Sequence, residues 1–273
     1  MEYRVETRTT ASTIAAIAAV GLISCSSGAS RTAFQMASVV KTALVTGAAK
    51  GIGRAIALKL AAEGFDISIH YRASRDEAQA VKLEVEALGV KAVILSADLR
   101  DSGEAQTLVS SAADQLGGLG VLVNNVGNYV RKPLSELTLE NWHEMMDSNL
   151  NAAFYTCHAA LPIMRSQGYG RIVNLGFAGA QNLIARPKIL PYAIAKTGII
   201  LLTKAIAQSE AAHGITANVV APGVIENSVS KPLELIPAGR LGTLAELSDA
   251  VWGFINSSYQ TGQILEVAGG FNL

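Results

Sequence analysis

An apolar run, Thr42–Val45, leads directly into Thr46-Gly47-Ala48-Ala49-Lys50-Gly51-Ile52-Gly53, and an apolar-periodic segment continues from there to Glu63. That order reads as strand, glycine turn, helix. Glycines at such a junction let the backbone turn sharply and let a ligand approach closely. The unpaired N–H groups of the first helical turn attract a pyrophosphate. The spacing here is G-x-x-x-G-x-G rather than the commoner G-x-G-x-x-G, so taken alone the turn also fits an ordinary strand-to-helix connection.

Further apolar runs at residues 65–69, 92–95, 121–123, 172–175, 217–221 and 264–267 alternate with longer amphipathic segments. This alternation predicts an α/β fold, a single doubly wound parallel sheet covered by helices on both faces. With 273 residues, half of them hydrophobic, the chain can bury the core of one such domain, expected over residues 40–273. Formal net charge is zero and no basic block stands out, which gives a nucleic-acid surface no electrostatic support. The two cysteines, Cys25 and Cys157, make no disulfide framework, and neither has neighbours at metal-ligand spacing, so no metal is expected. Cys157, inside the apolar stretch 152–163, reads as a small core residue.

Residues 1–39 differ in kind. From 9 to 30 there is no charge, and the apolar core 14–23 is too short to span a bilayer, so no membrane association is expected. The Ser/Thr/Ala/Arg-rich composition suits an organelle transit peptide, although Glu2 and Glu6 fit it poorly. Leu22-Ile23-Ser24-Cys25 resembles a lipoprotein cleavage box, and Met36-Ala37-Ser38 would serve as a start just before the first strand. The expected location is cytoplasmic, or a plastid or mitochondrion if this segment is a transit peptide.

Tyr192 and Lys196 are four residues apart, so on a helix beginning near Pro191 they share one face. An ammonium beside a phenol favours the phenolate and is expected to lower the tyrosine pKa. These residues form part of an ordered set: the glycine turn, then Val123-Asn124-Asn125-Val126-Gly127, Asn149 within Asp147-Ser148-Asn149-Leu150, Tyr192-Ala193-Ile194-Ala195-Lys196 and Ala221-Pro222-Gly223. Together they resemble the short-chain dehydrogenase/reductase family over residues 40–273, nearest to its 3-oxoacyl-acyl-carrier-protein reductases.

The resemblance implies a Rossmann domain in which Gly47, Lys50, Gly51, Ile52 and Gly53 hold the cofactor phosphates. In the family an acid at the end of the second strand binds the adenosine ribose and selects NAD. Here Tyr71 stands in its place, followed by Arg72, and with Lys50 and Ser74 this suits a 2′-phosphate and hence NADP(H). Asp98 matches the adenine contact, Asn125 and Gly127 the adenosine side, and Pro222 and Gly223 the segment that fixes the nicotinamide. Tyr192 would protonate the substrate carbonyl, Lys196 would hold the nicotinamide ribose, and Asn149 would carry a water that returns the proton.

One expected part is missing. The serine that the family places after the fifth strand is replaced by Phe177, leaving Gln181 or Asn182 as candidates for the polar contact. The segment 226–242, with Pro232 and Pro237, is short for a substrate lid.

The resemblance implies an NADPH-dependent carbonyl reductase acting on a small-molecule or carrier-bound ketone such as a 3-oxoacyl thioester, as fatty-acid synthesis uses. It also implies a homotetramer or homodimer paired through helices near 152–164 and 199–212 and the run 263–273. Two alternatives are a pteridine reductase, whose relatives also lack the serine, and a catalytically weak NADP(H)-binding structural or sensing protein.

Overall fold

The computed structural model describes residues 39–271; the expectations for the leader, Cys25 and the last two residues fall outside them. Strands β1 (Thr42–Val45), β2 (Asp66–Tyr71), β3 (Ala92–Ser96), β4 (Val121–Asn124), β5 (Gly170–Leu175), β6 (Ile215–Pro222) and β7 (Ile264–Val267) form one parallel sheet in the order β3-β2-β1-β4-β5-β6-β7. The order reverses between β1 and β4, the switch point outside which α/β sheets bind ligands. Helices α1 (Gly51–Ala62), α2 (Arg75–Ala87), α3 (Ser102–Leu116), α4 (Leu139–Met145), α5 (Ala152–Gln167), α6 (Leu190–Glu210) and α7 (Leu244–Ile255) connect the strands.

Successive strand residues point to opposite faces, and both faces are covered, so the strands are mostly apolar, with a few buried polar residues such as Ser68, Asn124 and Asn174. Val45, Ile69, Val123 and Val173 pack with Ile56 and Leu60 of α1 and Leu247 and Val251 of α7. Leu44, Leu122, Ile172 and Ala217 face the other way, onto Leu108 of α3, Ala160 and Met164 of α5 and Ile206 of α6. Residues 190–213 are long and apolar enough to cross a membrane by length and composition. In this fold, however, Ile199, Ile200, Thr203 and Ile206 of α6 are buried in the core.

A polar string crosses the second layer. Asn124 and Asn174 are register partners on β4 and β5, and Asn124 Nδ2 donates to Asn174 Oδ1 at 2.9 Å. Thr156 of α5 donates to Asn124 Oδ1 (2.7 Å), and Asn174 Nδ2 donates to Thr203 of α6 (2.8 Å). Cys157 lies beside this string as the expected core residue, its thiol pushed up to about 12 by burial.

Between α4 and α5 the helix widens into a π-helical segment, Met146–Asn151, which carries Asn149. Leu150 of that segment fills the space over Gly198 of α6: a Cβ on Gly198 would lie 2.8 Å from a Leu150 methyl.

Candidate active site

The glycine turn sits at the end of β1 beside the switch point. Gly47 has φ +63°, and a Cβ on Gly53 would lie 2.3 Å from the Gly47 carbonyl oxygen, so no larger residue fits the start of α1. The turn is braced from two sides. Asn125 Nδ2 donates to the carbonyls of Thr46 (3.0 Å) and Gly47 (3.3 Å), while Thr46 Oγ1 accepts from the backbone N–H of Asn125 and Val126. Beneath it, the Gly47 N–H donates to Nδ1 of buried His70 (3.0 Å), and Nε2 faces the Ala97 carbonyl (3.0 Å). Because Nδ1 accepts, the proton belongs on Nε2, and burial holds the imidazole below its usual pKa.

A cleft of about 440 Å³ opens beside this turn, lined by Gly47, Lys50, Arg72, Ser74, Asp98 and Asn125, and continuing past Gly127 to Ser148. Gly51, Ile52 and Gly53 lie behind it at the start of α1, whose first turn contains no acid. The donors therefore fit a nucleotide: cations and backbone N–H groups at the glycine turn, and no acidic side chain at Tyr71, where it would repel an extra phosphate. Asp98 is not alone in the cleft. The Arg100 guanidinium donates to its carboxylate at 3.0 and 3.1 Å and holds its pKa down to about 2, and Arg100 Nη1 reaches Glu144 at 2.8 Å. Among the described residues there is no cluster with metal-binding composition.

The reaction centre lies past Gly127. Lys196 is buried and its Nζ donates to the Leu175 carbonyl (2.8 Å), 5.6 Å from the centre of the Tyr192 ring. Burial pulls its pKa down to about 8. Asn149 Nδ2 donates to the carbonyls of Asn128 (3.0 Å) and Met145 (3.1 Å), whereas Asn149 Oδ1 is buried without a partner in the protein. A Cβ on Gly127 would stand 2.3 Å from that oxygen and 3.5 Å from Lys196 Nζ, so Asn149 and Lys196 converge where only glycine leaves room. Pro222 closes β6, and Gly223 follows, its N–H donating to the Val267 carbonyl (2.9 Å).

Two expectations from the sequence need correction. Lys196 does not depress the Tyr192 pKa: burial first, and then Tyr129, push the phenol above its ordinary value. The cause is geometric, since the ammonium turns to the Leu175 carbonyl while the phenol ring is flanked edge-on by Tyr129 (5.1 Å) and Phe177 (5.6 Å). Gln181 does not replace the missing serine either. Its Nε2 donates to Glu266 Oε1 (3.1 Å), which also accepts from the Gly179 N–H (2.7 Å), tying this loop to β7. His70, Arg100, Tyr129 and Arg186, whose guanidinium lies 4.9 Å over the Phe177 ring, complete the site without having been singled out in the sequence.

Comparison with known proteins agrees with this geometry. A family model described as short chain dehydrogenase matches residues 41–235. The 3-oxoacyl-[acyl-carrier-protein] reductase FabG of Staphylococcus aureus (strain Mu50) is 36% identical over 244 residues, 85% of this chain and 98% of the relative. The 3-oxoacyl-[acyl-carrier-protein] reductase of Synechocystis is 35% identical over 239 residues, 84% of this chain and 96% of the relative. Among solved structures, a blue fluorescent protein from a metagenomic library in complex with NADPH superposes with a TM-score of 0.80 at 35% identity, covering 85% of this chain and 98% of that one.

Proposed function

The chain belongs to the short-chain dehydrogenase family, and from that premise we propose that it is an NADPH-dependent carbonyl reductase that reduces ketones such as 3-oxoacyl thioesters. It is an oxidoreductase acting between hydroxyl and carbonyl groups. The observation that carries the reading is the convergence of Asn149 Oδ1 and Lys196 Nζ on Gly127, with Tyr192 one helical turn before Lys196. The solved relative that binds NADPH supports the cofactor, as do Arg72 and Lys50 in the cleft.

NADPH, when bound, supplies the hydride. The chain's own residues do the rest. Lys50 and Arg72 would hold the 2′-phosphate, and the Gly47-to-Gly53 turn would hold the pyrophosphate. Gly127, Asn125 and Asp98 would line the adenosine side, with Ser74 toward the phosphate, and Pro222 and Gly223 would border the nicotinamide end. Tyr192 keeps its proton at neutral pH, because burial disfavours the phenolate, and holds it ready for the carbonyl oxygen. Lys196 places positive charge near that ring and would hold the nicotinamide ribose. The unpartnered Asn149 oxygen is suited to accept from a water that returns the proton.

Tyr192→Phe tests the assignment. With NADPH and a panel of acetoacetyl thioesters, dihydropteridines and simple diketones, wild type should oxidise NADPH with the thioester. The variant should lose at least about a hundredfold in kcat while retaining NADPH binding by calorimetry. A variant that keeps more than about a tenth of wild-type turnover would remove Tyr192 from the role of acid.

A further inference from the structure

The loop between β5 and α6, residues 176–189, contains no acid and two cations, Arg186 and Lys188. The facing loop, residues 127–133, also contains no acid and carries Arg131 and Lys132. The Lys132 N–H donates to the Lys188 carbonyl at 2.8 Å, which holds the two loops side by side. Among the described residues no ion pair involves any of these four cations. In a chain with a formal net charge of zero, this excess is local.

Arg186 differs from the other three in being fixed against the reaction centre. Its guanidinium carbon lies 4.9 Å over the Phe177 ring, and that ring lies 5.6 Å from the Tyr192 ring. A guanidinium held over an aromatic ring can still turn its N–H donors to an oxyanion, and this fork matches a carboxylate bidentately. The usual serine is absent at Phe177, so the aromatic ring that replaces it serves here as the platform for a cation.

We propose that Arg186 is a specificity-determining residue and that the site takes a second substrate class, small oxo acids whose carboxylate lies a few bonds from the ketone. The inference rests on the reading of Tyr192 as proton donor. In the reaction the carbonyl carbon accepts hydride from NADPH, the oxygen takes the Tyr192 proton, and a hydroxy acid and NADP+ leave; solvent restores the tyrosine proton. The short path from Arg186 through Phe177 to Tyr192 sets the reach. A phosphate at the far end of a pantetheine arm lies too far from its carbonyl to use the same guanidinium.

Diethyl 3-oxoadipate and its monoester with a free distal carboxylate present the same ketone with and without the anion. Wild type should prefer the monoester by about tenfold or more in kcat/KM, as one charge-assisted contact allows. In Arg186→Gln the ratio should fall to about one, while Arg186→Lys should keep part of it. An even ratio in wild type, or a ratio that Arg186→Gln leaves unmoved, overturns the proposal. So does an Arg186→Gln effect confined to a carrier-borne thioester, which would make the loop a protein-docking surface. If neither ester is reduced, the reductase reading fails on this panel, and calorimetry of NADP+-loaded protein with monoethyl adipate decides separately. Binding that Arg186→Gln abolishes upholds carboxylate recognition, and its absence in wild type refutes it.

Discussion

Arg72 faces a cleft in which the competing charge of an acidic neighbour at Tyr71 is missing. Arg72→Asp should invert the nucleotide preference, lowering NADPH affinity by about ten- to a hundredfold and sparing or improving NADH, since one charge-assisted contact is replaced by repulsion. Calorimetry with both nucleotides checks this, and equal binding by wild type would remove the phosphate from the argument. Lys196 yields a separate, pH-based expectation. Its ammonium titrates near 8 in the fold but near its ordinary 10.5 when unfolded, so between those values the unfolded chain binds more protons. Stability should therefore rise with pH through that window, by on the order of 3 kcal/mol, and the rise should vanish in Lys196→Met. Urea melts of both proteins at about pH 7 and about pH 10 read the difference, and parallel curves would show that Lys196 is not desolvated. Asn149 entered only through the family resemblance, while the shared helix face of Tyr192 and Lys196 was legible in their four-residue spacing. His70, Tyr129 and Arg186 were not, because their roles depend on contacts with residues far along the chain, as His70 has with Gly47 and Ala97.

Among the elements, the seven strands were readable because a sheet covered on both faces favours apolar runs, and all seven begin and end within two residues of those runs. The π-helical segment Met146–Asn151 left no such mark, since one residue of extra winding hardly alters the apolar pattern. It nonetheless aims Asn149, and α6 supports it through the small Gly198 under Leu150. Gly198→Val should force the two elements apart, costing about 1–3 kcal/mol in urea unfolding and reducing kcat more than NADPH affinity. Unchanged stability would show that Leu150 simply swings aside. The segment 226–242 is similarly shaped by pairing invisible in sequence: the Glu226 N–H donates to the Gly242 carbonyl (2.9 Å), and the Ala238 N–H to that of Gly269 (2.9 Å).

At the level of the molecule, α5 and α6 each present apolar side chains to the outside, Phe154 on one, Ile194 and Leu201 on the other, and Leu201 is 66% exposed. Large apolar residues in such positions mark surfaces that associate. We expect a homodimer or homotetramer by light scattering at micromolar concentration, shifted toward smaller species by Leu201→Glu; a monomeric wild type would refute the expectation. The amide string of Asn124, Asn174, Thr156 and Thr203 has a different consequence, one for assembly. Sliding β4 by a single residue would swing Asn124 across to the layer of Val45 and Val123, where its amide would meet aliphatic side chains only. A misaligned sheet would thus strand two buried amides at once, so these asparagines act as a checkpoint that rejects the wrong alignment while the chain condenses.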